Sequence, residues 1–414
     1  MSQRKPVTLA VIGAGQRGQG AYAPFALNNP HLATMVAVAE PDASRRESFR
    51  LSHAIAEEMA FADDQAFFAA KVACEGVLIC TQDKQHYAMA TQALEAGYHV
   101  LLEKPMSPSK EECIALGACA ERHGRIFVIC HVLRYTKFFE RLKQLLDAGT
   151  IGKLVLLTLT ENVGYYHQAH SFVRGNWRKE AESSPMILAK SCHDMDLLLW
   201  LAGGNCTQVS SFGGLAHFRA EEAPQSLVQR CIDGCPVEQD CPYSALKIYL
   251  HSGRKGWPVN VITPEPTEAN IIQALKEGPY GRCVYACDND VVDHQTVNLA
   301  FDNGVKAVFA MSAFTHNVSR TMKLMGSHGE IRADLAKQEI EVHDFATGDI
   351  SRFNLAVPKS GHGGGDAQIM HEFVQLVASG QTAQGKSCYR DSVQSHVIAF
   401  AAEESRLSGK TVQL

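Results

Sequence analysis

The sequence contains no hydrophobic run long enough to cross a membrane, no internal repeat and no low-complexity tract. Charged residues or glycine interrupt its apolar stretches well before the ~18 residues that a membrane span needs. It also lacks a strong excess of charge of one sign, since the formal net charge is −5. This charge provides no basic field for nucleic acid, so we expect no nucleic-acid partner. The short polar segment 1–6 leaves no room for a signal peptide, and we expect a cytoplasmic protein with no membrane association.

The length and composition indicate a globular protein with more than one core. The chain has 414 residues, of which 46% are hydrophobic and 20% are charged. A chain of this length suits two domains. We predict a dinucleotide-binding domain over 1–130 and a substrate and oligomerisation domain over 131–414.

The N-terminal stretch has the order strand, glycine turn, helix, strand and acid. An apolar run over 9–12 stops at Gly13-Ala14-Gly15-Gln16-Arg17-Gly18, and a second apolar run over 35–39 ends at Glu40. In such a unit the first glycine permits a tight turn, the second lets the backbone approach a pyrophosphate, and the third lets helix and strand pack closely. The candidate cofactor-binding residues here are Gly13, Gly15, Gln16, Arg17, Gly18 and Glu40.

Glu40 favours NAD over NADP. A carboxylate at the end of the second strand can accept both ribose hydroxyls and would repel a 2′-phosphate. The neighbouring Arg45 and Arg46 weaken this preference.

The pattern continues as a doubly wound parallel sheet. Apolar runs over 76–80 and 98–102 read as buried strands, separated by a helix that begins at His86. Ligands in such sheets bind at the carboxyl ends of strands. Thr81, His86 and Glu103-Lys104-Pro105 follow these ends or lie close to them, so we add them to the candidate cofactor site.

Together, the glycine turn, the acid on the second strand and Glu103-Lys104-Pro105 resemble the Gfo/Idh/MocA family of NAD(P)-dependent sugar and inositol oxidoreductases. The resemblance implies that Lys104 lies beside the nicotinamide and the reacting carbon. An ammonium there can stabilise a developing alkoxide and help to pass its proton. It also implies that the second domain is an α/β unit with an open, mostly antiparallel sheet, and that the protein is a homodimer or homotetramer.

Residues 161–185 are predicted to form a loop rich in polar aromatic side chains. Such a loop after a strand can build a substrate pocket, and Tyr166 and His167 are candidate substrate residues. Trp177-Arg178 is similar to a family position that reaches towards the cofactor or the substrate. A surface loop with chance histidines is the alternative interpretation.

The segment 186–201 is predicted to be a helix with polar residues in its first turns. It resembles the family's Asp-x-x-x-His-x-x-Asp motif at His193 and Asp196, which implies that His193 is the acid/base at the substrate. Three residues apart on a helix, the Asp196 carboxylate could orient the His193 imidazole. Ala189 stands where the family has its first aspartate, so Lys190 can supply a cationic contact to an acidic sugar or a polarised carbonyl. Asp194 and Asp196 are further candidate substrate residues; a structural histidine is the alternative for His193.

A cysteine-rich insertion lies around 217–249, with the pattern Cys231-x3-Cys235-Pro-x4-Cys241. Thiolates this close in a reducing compartment favour a structural zinc site over a disulfide. Unmetallated thiols and an iron–sulfur cluster are the alternatives. A fourth ligand must come from elsewhere, and His217 and Cys206 are the nearest candidates.

Three functions are consistent with these features. The first is an NAD-dependent oxidoreductase that oxidises a secondary hydroxyl of a sugar, sugar acid or cyclitol, or reduces the ketone, with Lys104 and His193 at the reacting carbon. The second is an NAD-dependent glycosidase that works by transient oxidation, elimination, hydration and re-reduction. The third is a non-catalytic NAD-binding regulator.

Overall fold

The computed structural model describes residues 5–224, 228–356, 361–380 and 385–414. Its contacts divide the chain into two compact units that alternate along the sequence. The first unit comprises Met1–Gly152, Met195–Gly203 and Phe353–Phe400, and the second comprises Lys153–Asp194, Gly204–Arg352 and Ala401–Leu414. The domain boundary after residue 130 stays a prediction.

The first unit contains a six-stranded sheet in which neighbouring strands are parallel. The strand order is β3-β2-β1-β4-β5-β6. Apolar side chains pack on the sheet in two core clusters. This architecture confirms the predicted doubly wound fold. The strands are β1 (Val7–Ile12), β2 (Ala33–Ala39), β3 (Ala60–Phe61), β4 (Gly76–Ile79), β5 (His99–Leu102) and β6 (Phe127–Ile129).

The second unit contains an open nine-stranded sheet of order β14-β13-β12-β11-β7-β10-β9-β8-β15. The pair β7 and β10 is parallel, and the other strand pairs whose registers are defined are antiparallel. The mostly antiparallel second sheet is therefore confirmed. Its strands are β7 (Leu154–Asn162), β8 (Cys206–Gly214), β9 (His294–Phe301), β10 (Lys306–Ser312), β11 (Ser319–Gly326), β12 (Gly329–Asp334), β13 (Glu339–Asp344), β14 (Ile350–Asn354) and β15 (Val412–Gln413).

Several α-helices begin after a residue whose side chain caps the first turn. Helix α5, for example, starts after Ser109, whose side chain accepts a hydrogen bond from the Glu112 amide, and ends at Gly124 in the left-handed region. The α-helices are α1 (Pro24–Asn28), α2 (Ala43–Ser52), α3 (Asp64–Ala69), α4 (His86–Glu95), α5 (Lys110–His123), α6 (Lys137–Asp147), α7 (Tyr165–His167), α8 (Met186–Ala189), α9 (Cys192–Ala202), α10 (Val259–Ile262), α11 (Glu268–Glu277), α12 (Gly365–Ser379) and α13 (Tyr389–Ser408). In the described ranges, no helix combines the length and hydrophobicity that crossing a lipid bilayer requires.

Two local predictions for the second unit were wrong. The segment predicted as a loop over 161–185 instead begins with the end of β7 and continues as α7 and a π-helix over Gln168–Arg174. All seven residues of that π-helix are buried, and Ala169 and Val173 belong to a separate core cluster of the second unit. The helix predicted over 186–201 is split into α8 and α9, with a break at Lys190-Ser191.

Candidate cofactor site and active site

The glycine turn after β1 is tight on one side and open on the other. Gly13 has a φ of +92°, and a Cβ there would lie 2.7 Å from the Cys80 carbonyl oxygen. A Cβ at Gly18 would lie 2.1 Å from the Gly13 carbonyl oxygen, whereas one at Gly15 would meet nothing within 4 Å. The turn therefore has the free approach at Gly15 that a pyrophosphate needs, and its residues fit a dinucleotide. Gln16 starts a π-helix over Gln16–Tyr22 rather than the expected α-helix.

Glu40 organises the turn as well as the end of β2. Its Oε2 accepts a hydrogen bond from the Ala14 amide at 2.8 Å, and its Oε1 lies 2.8 Å from Nη2 of Arg45. Nη1 of Arg46 donates to the Glu40 carbonyl oxygen at 2.6 Å. The Glu40 carboxylate lies at the end of β2, where the sequence predicts it, and it is ion-paired with Arg45.

Arg17 joins the glycine turn to the Glu-Lys-Pro turn. Its Nε lies 2.6 Å from Oε1 of Glu103, and its Nη2 lies 2.8 Å from Oδ1 of Asp366. The Tyr22 hydroxyl also donates to Glu103, at 2.5 Å. Burial alone would raise the pKa of Glu103, but the charges of Arg17 and Lys104 hold it below its ordinary value. The predicted cofactor residues Arg17 and Glu103 are thus brought together as partners of each other.

The main chain around Lys104 has three anchors. The Lys104 amide donates to Oε2 of Glu103 at 2.9 Å, and Nδ1 of His86 lies 2.6 Å from the carbonyl oxygen of Pro105. The Met106 amide donates to Nε2 of His396 at 2.9 Å. His86 also lies 3.2 Å, through Nε2, from the Thr81 carbonyl oxygen. The turn therefore holds Lys104 at the carboxyl end of β5. His86 contributes by contacting the backbone carbonyl group of Pro105 in this turn.

Asp196 is bound by a buried arginine. Its carboxylate accepts two hydrogen bonds of 2.7 Å, one from Nε and one from Nη2 of Arg134. Nε2 of the buried His131 lies 3.8 Å from Asp196. Burial raises the pKa of Asp196, and Arg134 opposes that rise. The predicted orientation of His193 by Asp196 stays a prediction; the partner that sequence reasoning missed is Arg134.

Lys190 and Asp194 belong to a buried group of four charges in the second unit. Nζ of Lys190 lies 2.8 Å from Oε1 of Glu161, whose Oε2 lies 2.7 Å from Nη2 of Arg320. Arg320 also bonds Asp194, with Nε 2.6 Å from Oδ1. Burial raises the pKa of Asp194 to about 6, Arg320 opposes the rise and Glu161 adds to it. His193 lies in the first turn of α9 and is buried.

Tyr166 and His167 lie in an aromatic cluster with Trp257. The ring centroids of His167 and Trp257 are 4.8 Å apart, and those of Tyr166 and Trp257 are 6.1 Å apart. The guanidinium of Arg254 lies 4.9 Å from the centre of the Tyr166 ring. Trp257 has no motif signal, so sequence reasoning missed it.

Trp177 and Arg178 follow this region of the chain. Nε of Arg178 donates to Asp288 at 2.9 Å, while the Trp177 ring lies 6.2 Å from the Phe172 ring. In this structure Arg178 is therefore engaged by an acid of its own unit.

The three predicted metal ligands line one cavity, and a fourth cysteine joins them. Cys231, Cys235 and Cys241 share the cavity with Cys283, which the sequence analysis did not consider. The two candidates for a fourth ligand lie in other contacts: Nε2 of His217 is 3.0 Å from the Tyr285 hydroxyl, and Sγ of Cys206 is 3.6 Å from the Gln208 carbonyl oxygen.

Comparison with known proteins identifies the family. Residues 7–131 match the model of the oxidoreductase family with an NAD-binding Rossmann fold, Gfo/Idh/MocA, and residues 143–414 match the model of its C-terminal α/β domain. The chain belongs to the Gfo/Idh/MocA family of oxidoreductases, as the sequence predicts.

The names of similar proteins indicate different substrates. Over 214 residues the chain is 28% identical to 2,7-anhydro-N-acetylneuraminate hydratase of Mediterraneibacter gnavus, covering 51% of this chain and 54% of that protein. Over 210 residues it is 26% identical to inositol 2-dehydrogenase 1 of Saccharopolyspora erythraea, and this match covers 50% of this chain and 58% of that protein. The matches thus span about half the length of these relatives.

Solved structures of other proteins have the same fold as this chain. A levoglucosan dehydrogenase in complex with NADH and levoglucosan aligns with a TM-score of 0.72 at 16% sequence identity, covering 99% of each chain. At this identity the likeness is one of fold.

Proposed function

We propose that this protein is an NAD-dependent oxidoreductase that oxidises a secondary hydroxyl of a sugar, sugar acid or cyclitol, or reduces the corresponding ketone. The observation that carries the proposal is the anchored turn that presents Lys104 at the carboxyl end of β5. Three separate hydrogen bonds fix the backbone on both sides of one half-buried lysine, as a preorganised catalytic group requires. The names of the inositol and levoglucosan dehydrogenases support the substrate class.

NAD, when bound, supplies the hydride acceptor. The residues proposed to hold it are the glycine turn and Glu40, with Gln16, Thr81, Trp177 and Arg178 as further contacts. The choice of NAD over NADP rests on the Glu40 carboxylate at the end of β2, which would repel a 2′-phosphate. Arg45, paired with that carboxylate, reduces the discrimination.

The chain's own residues handle the proton and the charge on oxygen. His193 takes the hydroxyl proton as general base, and the Lys104 ammonium stabilises the oxygen as its negative charge develops. In the reverse direction His193 returns the proton to the oxygen. Asp196 is proposed to orient His193, while its Arg134 partner opposes the rise in the pKa of Asp196 that burial causes.

The proposed substrate contacts divide into two groups. Tyr166 and His167, beside Trp257, offer aromatic faces that suit the apolar C–H face of a sugar ring. Lys190 and Asp194 were predicted as direct contacts; their ion pairs with Glu161 and Arg320 favour an indirect role in holding the start of α9.

The assembly and the location are also proposals. Strand β10 buries Ala307, Phe309 and Met311 on one face and leaves Val308 37% exposed on the other. The homodimer or homotetramer is proposed from the family resemblance, since one exposed valine is not an interface. We further propose a cytoplasmic protein with no nucleic-acid or membrane partner. Zinc at Cys231, Cys235 and Cys241 remains a prediction.

The test is purified full-length protein with NAD against sugars, sugar acids, inositols and aryl glycosides, with NADH absorbance and released aglycone followed together. NADH that rises in step with the loss of a free sugar or cyclitol supports the dehydrogenase and names its substrate class. NAD binding without turnover of any compound would instead support a regulator.

A second candidate is the NAD-dependent glycosidase. The hydratase among the relatives is named for the addition of water, a reaction without net oxidation, and water addition is also a step of this mechanism. Aglycone release that requires NAD but forms no net NADH would establish this candidate and overturn the dehydrogenase.

A further inference from the structure

Four cysteines from two distant stretches line one cavity in the second unit. These are Cys231, Cys235, Cys241 and Cys283. Backbone pairing joins the stretches, since the Cys231 amide donates to the Gly281 carbonyl oxygen at 3.0 Å and the Cys283 amide donates to Gln229 at 2.9 Å. Four sulfurs around one space are a complete ligand set, which the three cysteines of the sequence motif are not.

The rest of the cavity wall is mostly apolar. It is lined by Val228, Val237 and Val284, by the rings of Tyr243 and Tyr285, and by the polar side chains of Glu238 and Ser244. Burial raises the pKa of the Cys241 and Cys283 thiols.

A buried cation beside the cysteines requires negative charge. The Arg174 side chain is fully buried, and its Nε donates to the Arg282 carbonyl oxygen at 2.7 Å. Its Nη2 donates to the Tyr243 carbonyl oxygen at 2.8 Å and lies 3.7 Å from Sγ of Cys231. Within the described residues its Nη1 has no hydrogen-bond partner. The groups that most raise the pKa of Arg174 are one phenol and three thiols, with no carboxylate among them. A buried guanidinium is costly unless an anion faces it, and thiolates bound to a metal would provide that anion.

The spacing of the sulfurs separates two kinds of metal site. In a tetrahedral zinc site with bonds of ~2.3 Å, the four sulfurs lie about 3.8 Å apart. In the described part of the chain, one group of three or more His, Cys, Asp or Glu ligands has all its atoms within 4.8 Å, and it consists of Glu95, Cys119 and His123. No three sulfurs of the cavity therefore form so compact a group in this structure. A cubane cluster needs wider spacing, because each thiolate binds a different iron.

We propose that Cys231, Cys235, Cys241 and Cys283 bind a [4Fe–4S] cluster. Each thiol gives up one proton to the solvent and forms one Fe–S bond; the four thiolate charges outweigh the positive charge of the cluster core, so the bound cluster carries a net negative charge beside Arg174. Arg174 donates towards the Cys231 sulfur, an interaction that tunes the potential of such clusters. Cys287 is not a ligand in this assignment: its Sγ donates to the Cys283 carbonyl oxygen at 3.2 Å, and it does not line the cavity.

The cluster would stabilise a segment that the proposed function uses. Arg174 is the last residue of the π-helix that follows Tyr166 and His167. By fixing Arg174, the cluster would hold this helix against the paired stretches around Cys231 and Cys283. The cluster itself does not depend on the proposed function, because its test measures metal content.

The test is the full chain purified without oxygen, with iron, acid-labile sulfide and zinc measured per chain and the EPR spectrum recorded after reduction. We expect about four irons and four sulfides, and the EPR signal of a reduced cubane cluster. Zinc in stoichiometric amount with no iron would overturn the proposal. So would protein that holds no metal as isolated and takes up none from an equimolar mixture of ferrous and ferric iron with sulfide.

Matched variants test the ligand set. Cys231→Ser and Cys283→Ser should lose most of the iron, whereas Cys287→Ser should keep it. A ligand variant can lose iron because it misfolds. The metal content of the wild type and of Cys287→Ser therefore tests the proposal independently of the ligand variants. Iron lost from Cys287→Ser but kept by Cys283→Ser would overturn the assignment of Cys283.

Discussion

Nε of Arg17 lies 2.6 Å from Oε1 of Glu103, so a residue of the glycine turn is ion-paired to the residue before the proposed catalytic lysine. Oε2 of the same carboxylate accepts the Lys104 amide. The pair thus couples the shape of the cofactor turn to the position of Lys104.

Replacing Glu103 tests this coupling. Glu103→Gln removes the charge that faces Arg17 and weakens the bond to the Lys104 amide. We expect a loss of about 1–3 kcal/mol in the free energy of unfolding by urea, together with a lower kcat. The exposed Glu404→Gln is the control. Unchanged stability and kcat would mean that Asp366 alone holds Arg17.

The group around Lys190 yields a prediction that separates two roles. Lys190→Met removes one of the two ion-pair partners of the buried Glu161. Arg320 remains as its partner, but Arg320 is also paired with Asp194. We expect a destabilisation of about 3 kcal/mol, measured by urea denaturation. Adding Glu161→Gln should restore part of it, because both charges are then gone.

A direct substrate contact would behave differently at Lys190. In that case Lys190→Met would raise KM and leave the unfolding free energy unchanged. The exposed Lys337→Met, at a surface ion pair, serves as the control.

Asp366 is predicted to stabilise the protein in a pH-dependent way. Burial would raise its pKa, but hydrogen bonds from His362 and Arg17 lower it to about 2 from an ordinary value of 3.8. The unfolded chain therefore binds more protons in this interval, so the contribution of Asp366 is present above pH 4 and is lost as the pH falls through about 2. Its size is about 2 kcal/mol.

Comparison with Asp366→Asn measures this contribution. The difference in unfolding free energy between the wild type and Asp366→Asn should be largest at neutral pH and shrink below pH 4. The exposed Asp349→Asn should show no such trend. A difference that is constant with pH would contradict the charged role of Asp366.

Glu40 should set the choice of cofactor. Glu40→Ser removes the carboxylate that repels a 2′-phosphate and leaves Arg45 and Arg46 able to attract one. We expect the ratio of kcat/KM for NADP to that for NAD to rise about tenfold or more, equivalent to ~1.4 kcal/mol. Glu57→Ser, at an exposed position, should leave the ratio unchanged, and an unchanged ratio in Glu40→Ser would refute the assignment.

The two proposed catalytic residues should affect turnover more than cofactor binding. Lys104→Met and His193→Asn each remove a group that handles the proton or the oxygen charge, so kcat should fall by about 10²–10⁴. The Kd of NAD, measured by calorimetry, should change little for His193→Asn. Turnover that survives Lys104→Met would show that Lys104 has no role in the chemistry.

Much of the fold and part of the site could be predicted from local patterns. The glycine turn, Glu40 and the Glu-Lys-Pro turn are contiguous motifs, and the Asp302-Asn303-Gly304 turn, with Gly304 at a φ of +91°, joins β9 to β10 as its residues suggest. Segment 165–174 was predicted wrongly because its polar aromatic residues resemble a surface loop. Their burial depends on partners such as Tyr249, whose hydroxyl lies 2.9 Å from Nδ1 of His170 and which is distant in sequence.

The sequence by itself determined the fold class, the dinucleotide turn, the lysine after β5 and the three clustered cysteines, because each depends on residues close together in the chain. The tertiary structure decided which groups face each other: Arg134 on Asp196, Glu161 on Lys190, His396 on the Lys104 turn and Cys283 beside Cys231. These pairs join segments that are far apart along the chain. A buried charge or thiol is neutralised by whatever the fold brings within a few ångströms of it, and local spacing carries no record of that partner.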